Sequence, residues 1–258
     1  MLGNASAINK YAIEATDGPI GTVSDFLFDD AHWKVRWLVV DTGKWLTGRK
    51  VMVPTSVLGH PNPREQVVSV KLTQQQIENS PSIGLDQAVS REDERGAYEH
   101  YGLSPYWGAG YLGGYRAQWG STPFPTSGDV DRNLQIADAE RDRHNPSLRS
   151  FELITGYHVE SRDGAIGHVE DFLVEDTDWS IRFLVVDTRN WWPGKRVLIS
   201  PRSVIEIDWQ EKMVTLDVDR QKVKDAPAYD PSVIIDKAFD QQFHRHFGLP
   251  TEDEGPFA

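Results

Sequence analysis

The chain has no cysteine, which excludes disulfides, thiolate catalysis, zinc–thiolate sites and iron–sulfur clusters, and fits a cytoplasmic setting. It also lacks any long apolar run. Its most hydrophobic stretches, such as Trp37-Leu38-Val39-Val40 and Phe183-Leu184-Val185-Val186, fall far short of the ~20 residues a membrane helix needs. Met1-Leu2-Gly3-Asn4-Ala5-Ser6 has no basic region followed by an apolar one, so no signal peptide is expected. Positive charge is in deficit, with 27 Lys and Arg against 39 Asp and Glu for a net −12. That field opposes nucleic acid and anionic membrane surfaces, so neither a nucleic-acid partner nor membrane insertion is expected. What is present is enough to fold: 39% hydrophobic residues and 10% aromatics over 258 residues suffice for two domains of ordinary size.

The strongest signal is an internal repeat. Asp17-Gly18-Pro19-Ile20-Gly21-Thr22-Val23-Ser24-Asp25-Phe26-Leu27 returns 146 residues later as Asp163-Gly164-Ala165-Ile166-Gly167-His168-Val169-Glu170-Asp171-Phe172-Leu173. The same offset aligns Trp33 with Trp179, Arg36 with Arg182, and Leu38-Val39-Val40-Asp41-Thr42 with Leu184-Val185-Val186-Asp187-Thr188. It also aligns Trp45 with Trp191, Gly48 with Gly194, and Tyr101-Gly102-Leu103 with Phe247-Gly248-Leu249. A one-residue slip is expected near Pro54 and Ser200. One register held over that distance points to duplication.

Each copy reads as short strands around Asp-Gly hairpin turns. Ala5 to Ile13 and Phe151 to Val159 lead into those turns. Ile20 to Phe26 alternates with period two, and Val35 to Val40 is a continuous β-branched run suited to a strand covered on both sides. Such strands in so few residues predict a mainly β fold: two tandem small barrels, each with a short helix and a C-terminal helix. Thr73 and Asp219 are expected to start the short helices, Thr73 with Gln76 as a capping box. The second helices are expected over roughly 86–101 and 233–247, closed by Gly102 and Gly248. The division is then 1–103 for the first barrel, 104–148 for a linker rich in Gly, Pro and aromatics and then in charge, 149–249 for the second barrel, and 250–258 for an acidic tail.

The unit Asp-Gly-x-Ile-Gly-x-Val-x-Asp-Phe-Leu, followed by Leu-Val-Val-Asp-Thr, Trp45 with Gly48-Arg49-Lys50-Val51, and Val70-Lys71-Leu72-Thr73, resembles the PRC-barrel family. Ser80-Pro81 and the stretch from Tyr98 to Trp107 look like the tail of stand-alone bacterial members. The resemblance implies kinship with the cytoplasmic domain of the photosynthetic reaction-centre H subunit and with the C-terminal domain of a ribosome-maturation factor. Both use the barrel to bind proteins or complexes. This sequence shows neither the H subunit's membrane helix nor the maturation factor's N-terminal domain, so neither specific role transfers from fold alone.

The candidate chemistry is sparse. Asp25, Asp41, Asp171 and Asp187 recur in both copies beside turns, where an aspartate accepts backbone N–H bonds. His158 and His168 flank one Asp-Gly turn and His244 and His246 lie two apart, but their counterparts are Ala12, Thr22, Tyr98 and His100, so no ligand set is duplicated and no metal or cofactor is expected. Gly18, Gly21, Gly164 and Gly167 precede a strand rather than a helix, which suits turn geometry and close packing better than a phosphate cradle. The interaction candidates are the basic turns beside tryptophans: Trp45, Arg49 and Lys50, then Trp191, Trp192, Lys195 and Arg196. Each Trp is equally suited to closing its own barrel. In the linker Trp107, Tyr111, Tyr115 and Trp119 recur every fourth residue among glycines that disfavour a helix, which favours rings packed on the barrels over a stripe for a partner.

The leading expectation is a non-enzymatic protein-interaction or scaffolding module of two barrels. The partner is not named by the sequence. The barrels are expected to pair internally with roughly twofold symmetry, and self-association to a homo-oligomer is compatible with that. The alternative is an ancillary component of a membrane-associated or photosynthetic, H-like electron-transfer complex. An enzyme ranks third, since no convergent nucleophile, base or cofactor motif occurs.

Overall fold

The structure is a computed structural model, and it describes residues 2–46, 48–81, 89–107, 146–188, 195–231, 235 and 237–248. The protein is mainly β, with one sheet per repeat. In the first repeat strands β2 (Ala12–Ala15), β3 (Gly18–Asp29), β4 (Lys34–Asp41), β5 (Lys50–Pro54) and β6 (Val67–Ser69) take the order β5-β4-β3-β2-β6. In the second, β9 (His158–Ser161), β10 (Gly164–Glu175), β11 (Ile181–Asp187), β12 (Arg196–Ile199), β13 (Val204–Asp208) and β14 (Met213–Leu216) take the order β12-β11-β10-β9-β14-β13. Parallel pairing of β2 with β6 is matched, residue for residue at the 146 offset, by β9 with β14. In place of a β13 equivalent the first repeat has isolated bridges, Leu58 to Val70 and Asn62 to Val67.

The hairpins form where the Asp-Gly turns demand: Gly18 and Gly164 hold φ of +152° and +134°, outside the usual range of residues with a Cβ. The expected slip near Pro54 and Ser200 does not occur. The 3₁₀ turns Thr55–Val57 and Pro201–Ser203 keep the 146-residue spacing, so Pro54 and Pro201 match in sequence without matching in place.

The segments leading into the hairpins are not continuous strands. Each begins with one helical turn, α1 (Ala5–Ile8) or α4 (Phe151–Ile154), before β2 or β9. Helix α2 (Gln74–Glu78) starts with the capping box of Thr73 and Gln76. Asp219, by contrast, makes no side-chain cap for α5 (Arg220–Asp225). The carboxylates of the hairpin turns serve here: Asp17 accepts from the Gln74 amide and Asp163 from the Arg220 amide, each at 2.7 Å. Helix α3 (Arg91–Tyr101) begins later than position 86. Ser90 caps it and Glu92, Asp93 and Glu94 fill its first turn, which favours a start there. The residues just before form strand β7 (Val89–Ser90). Its counterpart α6 (Lys237–Phe247) ends at Gly248, as α3 ends at Gly102, both in the left-handed conformation.

The two repeats exchange strands. β1 (Leu2–Asn4) belongs in sequence to the first repeat but pairs with β10 of the second, Gly3 opposite Val174 and Asn4 opposite Leu173. β8 (Pro146–Ser150) leads the second repeat but pairs with β3 of the first, Arg149 opposite Phe28 and Ser150 opposite Leu27. These pairings interconvert under the 146-residue offset, so a pseudo-twofold axis relates them. β8 also pairs with β7, which leaves it hydrogen-bonded on both edges.

On that axis Lys34 bridges Ser180, its own counterpart. Trp33 and Trp179 hold φ of 52° and 63° there. Their carbonyls accept from the Ile181 and Val35 amides at 2.8 and 2.9 Å. Between the sheets Phe151 stacks on Phe172 with centroids 4.2 Å apart and touches Phe26 and Phe28 at 5.3 and 5.2 Å. The apolar core is therefore continuous across the repeats. No helix among the described residues is long and apolar enough to cross a membrane.

Candidate interaction site

Three of the duplicated aspartates, Asp25, Asp41 and Asp171, are fastened to backbone amides. Asp25 accepts from the Ser150 hydroxyl and from the Phe26 and Glu152 amides. Asp171 accepts from the Asn4 side chain, from the Ser6 hydroxyl and amide, and from the Phe172 amide. Each thus clasps the strand and helical turn that arrive from the other repeat. Asp41 accepts from the Gly43 amide at 2.8 Å, and Asp187 is 1% exposed with the His168 ring 3.7 Å away. Gly21 and Gly167 lie against the Asp41 and Asp187 carbonyls with no room for a Cβ. His158 and His168 are cross-strand neighbours, and His100 and His246 bond the carbonyls of Gln76 and Lys222. Among the described residues no group of three or more His, Asp or Glu is placed to hold a metal ion.

Burial pushes the Asp25 carboxyl above its usual 3.8, outweighing the bonds it receives. A carboxyl raised in the folded state contributes stability that is full below its ordinary value and is lost as pH rises through the raised one. Asn at this position has no charge to bury. The stability of Asp25→Asn relative to the parent is therefore expected to rise between about pH 4 and about pH 7. Urea midpoints across that range check this, and a relative stability that falls would show that the carboxylate's bonds outweigh its burial.

The basic turns are also committed within the chain. Arg49 donates to the carbonyls of Glu78 and Ser80, closing the C-terminal end of α2. Lys195 does the same at the corresponding carbonyls of Lys224 and Ala226, at 2.5 and 2.6 Å. Cations suit this end of a helix dipole. Arg196 forms a two-pronged pair with Glu170, both bonds 2.6 Å. Lys50 is exposed opposite Asp41, and Trp45 is half-buried against the core. Trp191, Trp192, Tyr111, Tyr115 and Trp119 lie outside the described residues.

Trp107 is the one aromatic of the linker series that is described, and it belongs to a cluster the sequence reading did not assemble. The Arg36 guanidinium lies 3.6 Å from the centre of the Tyr106 ring. Arg91 lies 4.5 Å from the Trp107 ring and donates to the Tyr106 hydroxyl at 2.7 Å. Tyr98 meets Trp107 edge-on at 5.6 Å. Beneath them Glu94 is fully buried on α3, accepting from Trp37 Nε1 at 2.9 Å with Arg91 3.7 Å away. Asp29 binds Arg36 and His32 at 3.1 and 2.8 Å; burial would raise its carboxyl, yet the bonds from those two partners hold it below the usual value. Burial, helped by the Glu94 charge, pushes the Tyr98 and Tyr106 phenols well above their usual range, so both stay neutral.

This cluster borders a cavity of about 380 Å³ at the junction of the repeats. Arg36, Lys34, His60 and the two tyrosines line it from the first repeat, with Asp178 and Trp179 from the second. Aromatic rings, a guanidinium and charges of both signs thus meet at one cleft. Position gave no signal for it, because Arg36, Glu94 and Tyr106 are distant in sequence and meet only when α3 packs on β4.

The PRC-barrel domain family matches residues 5–77, which span the first repeat from α1 into α2. No curated protein matches the chain. The matched segment is the one that carries the Asp-Gly hairpin, the long β3 and the Leu-Val-Val-Asp-Thr strand, and through it the first repeat is identified as a PRC-barrel domain.

Proposed function

We propose that the chain is a non-enzymatic protein-interaction or scaffolding module in which two PRC-barrels form one platform. The observation that carries this reading is the use of the duplicated carboxylates. Asp17, Asp25, Asp41 and Asp171 and Asp163 all hold backbone amides, and two of them clasp the repeats together. Groups spent on the fold are not free for acid–base work, which needs a side chain in reach of a substrate proton. A platform joined by strand exchange presents fixed surfaces from both repeats, and rigid surfaces bind at lower entropic cost.

The test is to capture the tagged full chain from its host and follow the complex through gel filtration and cross-linking with mass spectrometry. The expected result is a second protein at fixed stoichiometry, cross-linked at the junction of the repeats. A chain that runs alone at its own mass overturns the reading.

A further inference from the structure

A second cavity, about 340 Å³, lies on the pseudo-twofold axis beside the clasps. Its lining comes in pairs related by the 146-residue offset. Two pairs are identical, Asp25 with Asp171 and Phe26 with Phe172. Four have diverged: Ala5 becomes Phe151, Ser6 becomes Glu152, Ser24 becomes Glu170, and Asn9 becomes Thr155. The second repeat's wall has thus gained a ring and two carboxylates where the first has small residues. The phenylalanines form an apolar floor, and the carboxylates stand around it.

Those carboxylates differ in their engagement. The aspartates are taken up by the clasps, and Glu170 already holds a guanidinium, that of Arg196, in a two-pronged pair. The Glu152 side chain is exposed and has no partner among the described residues; only its backbone amide is used, by Asp25. Its charge is felt at the clasp: the Asp25 carboxyl is pushed up first by burial and then, in part, by Glu152. An apolar floor beside an unanswered carboxylate matches a side chain with methylenes and a cationic head. The net charge of −12 draws a basic partner toward it.

We propose that this cavity receives one lysine or arginine side chain of a partner protein, its methylenes on the phenylalanine floor and its head on Glu152. The proposal rests on the interaction-module reading and adds the chemistry of the partner. Salt weakens the contact, since the head group stays near solvent.

The test is fluorescence anisotropy of the full chain with a labelled pentapeptide carrying one central arginine among alanines, at low salt. The comparison peptide has citrulline at the centre, which keeps the shape and loses the charge. The expected result is saturable binding of the arginine peptide, at least tenfold weaker binding of the citrulline peptide, and a loss of fivefold or more in Glu152→Gln. That variant keeps the backbone amide that serves Asp25, so the clasp is preserved. Glu206→Gln, at an exposed position on β13, is expected to bind as the parent does. Equal binding of both peptides, no saturation, or equal losses in the two variants would each overturn the proposal. A partner that co-purifies while the peptide fails would leave the module reading standing and remove this site from it.

Discussion

Gly21→Ala is expected to lower stability by about 2–3 kcal/mol or more, as an overpacked core substitution does. A Cβ at this position would stand 2.0 Å from the Asp41 carbonyl oxygen and 2.9 Å from the Thr42 Cα. Those are backbone atoms of the neighbouring strand and cannot swing aside, so β3 has to lift from β4 where Thr22 faces Asp41. Gly167→Ala is expected to act alike, since its Cβ would meet the Asp187 oxygen at 1.9 Å. Gly3 has open space at the same point, and Gly3→Ala is expected to stay within about 0.5 kcal/mol of the parent. Urea unfolding of the three variants checks the ordering. If Gly21→Ala and Gly3→Ala unfold at one midpoint, close approach of the strands is not what requires glycine.

Trp37→Ala is expected to cost about 3–5 kcal/mol, the range for removing a large buried aromatic. Trp37 is 0% exposed, packs edge-on against Tyr98 at 4.6 Å and gives its ring N–H to the buried Glu94. The second repeat shows how to separate packing from hydrogen bonding. There Phe183 replaces Trp37 and Phe243 replaces Ala97, and the two rings meet at 4.8 Å. Trp37→Phe with Ala97→Phe therefore transplants an arrangement this chain already uses. The double variant is expected to recover part of the loss seen in Trp37→Ala and to retain about 1–3 kcal/mol of it, because a buried carboxylate has lost a donor. Full recovery in the unfolding free energy would show that the bond to Glu94 contributes nothing.

Much of the fold was legible because local rules sufficed for it. The Asp-Gly turns, the alternation along β3, the Thr73 cap and the glycines after α3 and α6 each depend on a few neighbouring residues. The constant offset then transferred most readings from one repeat to the other, the helix cap at Asp219 excepted. The strand exchange was not legible in its particulars. Leu2–Asn4 and Pro146–Ser150 carry no strand pattern, and their partners are fixed by an axis that no short window contains. The start of α3 was misplaced for a related reason, since Val89 and Ser90 are claimed by β8, a segment from the far side of the linker. Arg49 and Lys195 were legible as a duplicated basic feature but not as helix-closing groups, since the carbonyls they reach lie about 30 residues on. The aromatic cluster was half legible: Trp107 drew notice by its spacing, while Arg36, Glu94 and Tyr106 become a unit only in three dimensions.

The reciprocal strands are equivalent in space but not in time. During synthesis β3 precedes β8, so β8 has its partner strand available as it emerges. β1 has no such welcome: Leu2–Asn4 must wait for Leu173–Glu175, about 170 residues later, which at ribosomal speed is roughly ten to thirty seconds. The edge of β3 meanwhile stays bare until the linker has been translated, and a bare strand edge is a template for unwanted pairing. A vulnerable interval is thus written into the order of the chain, and its length is set by the linker and by translation speed rather than by the stability of the finished protein.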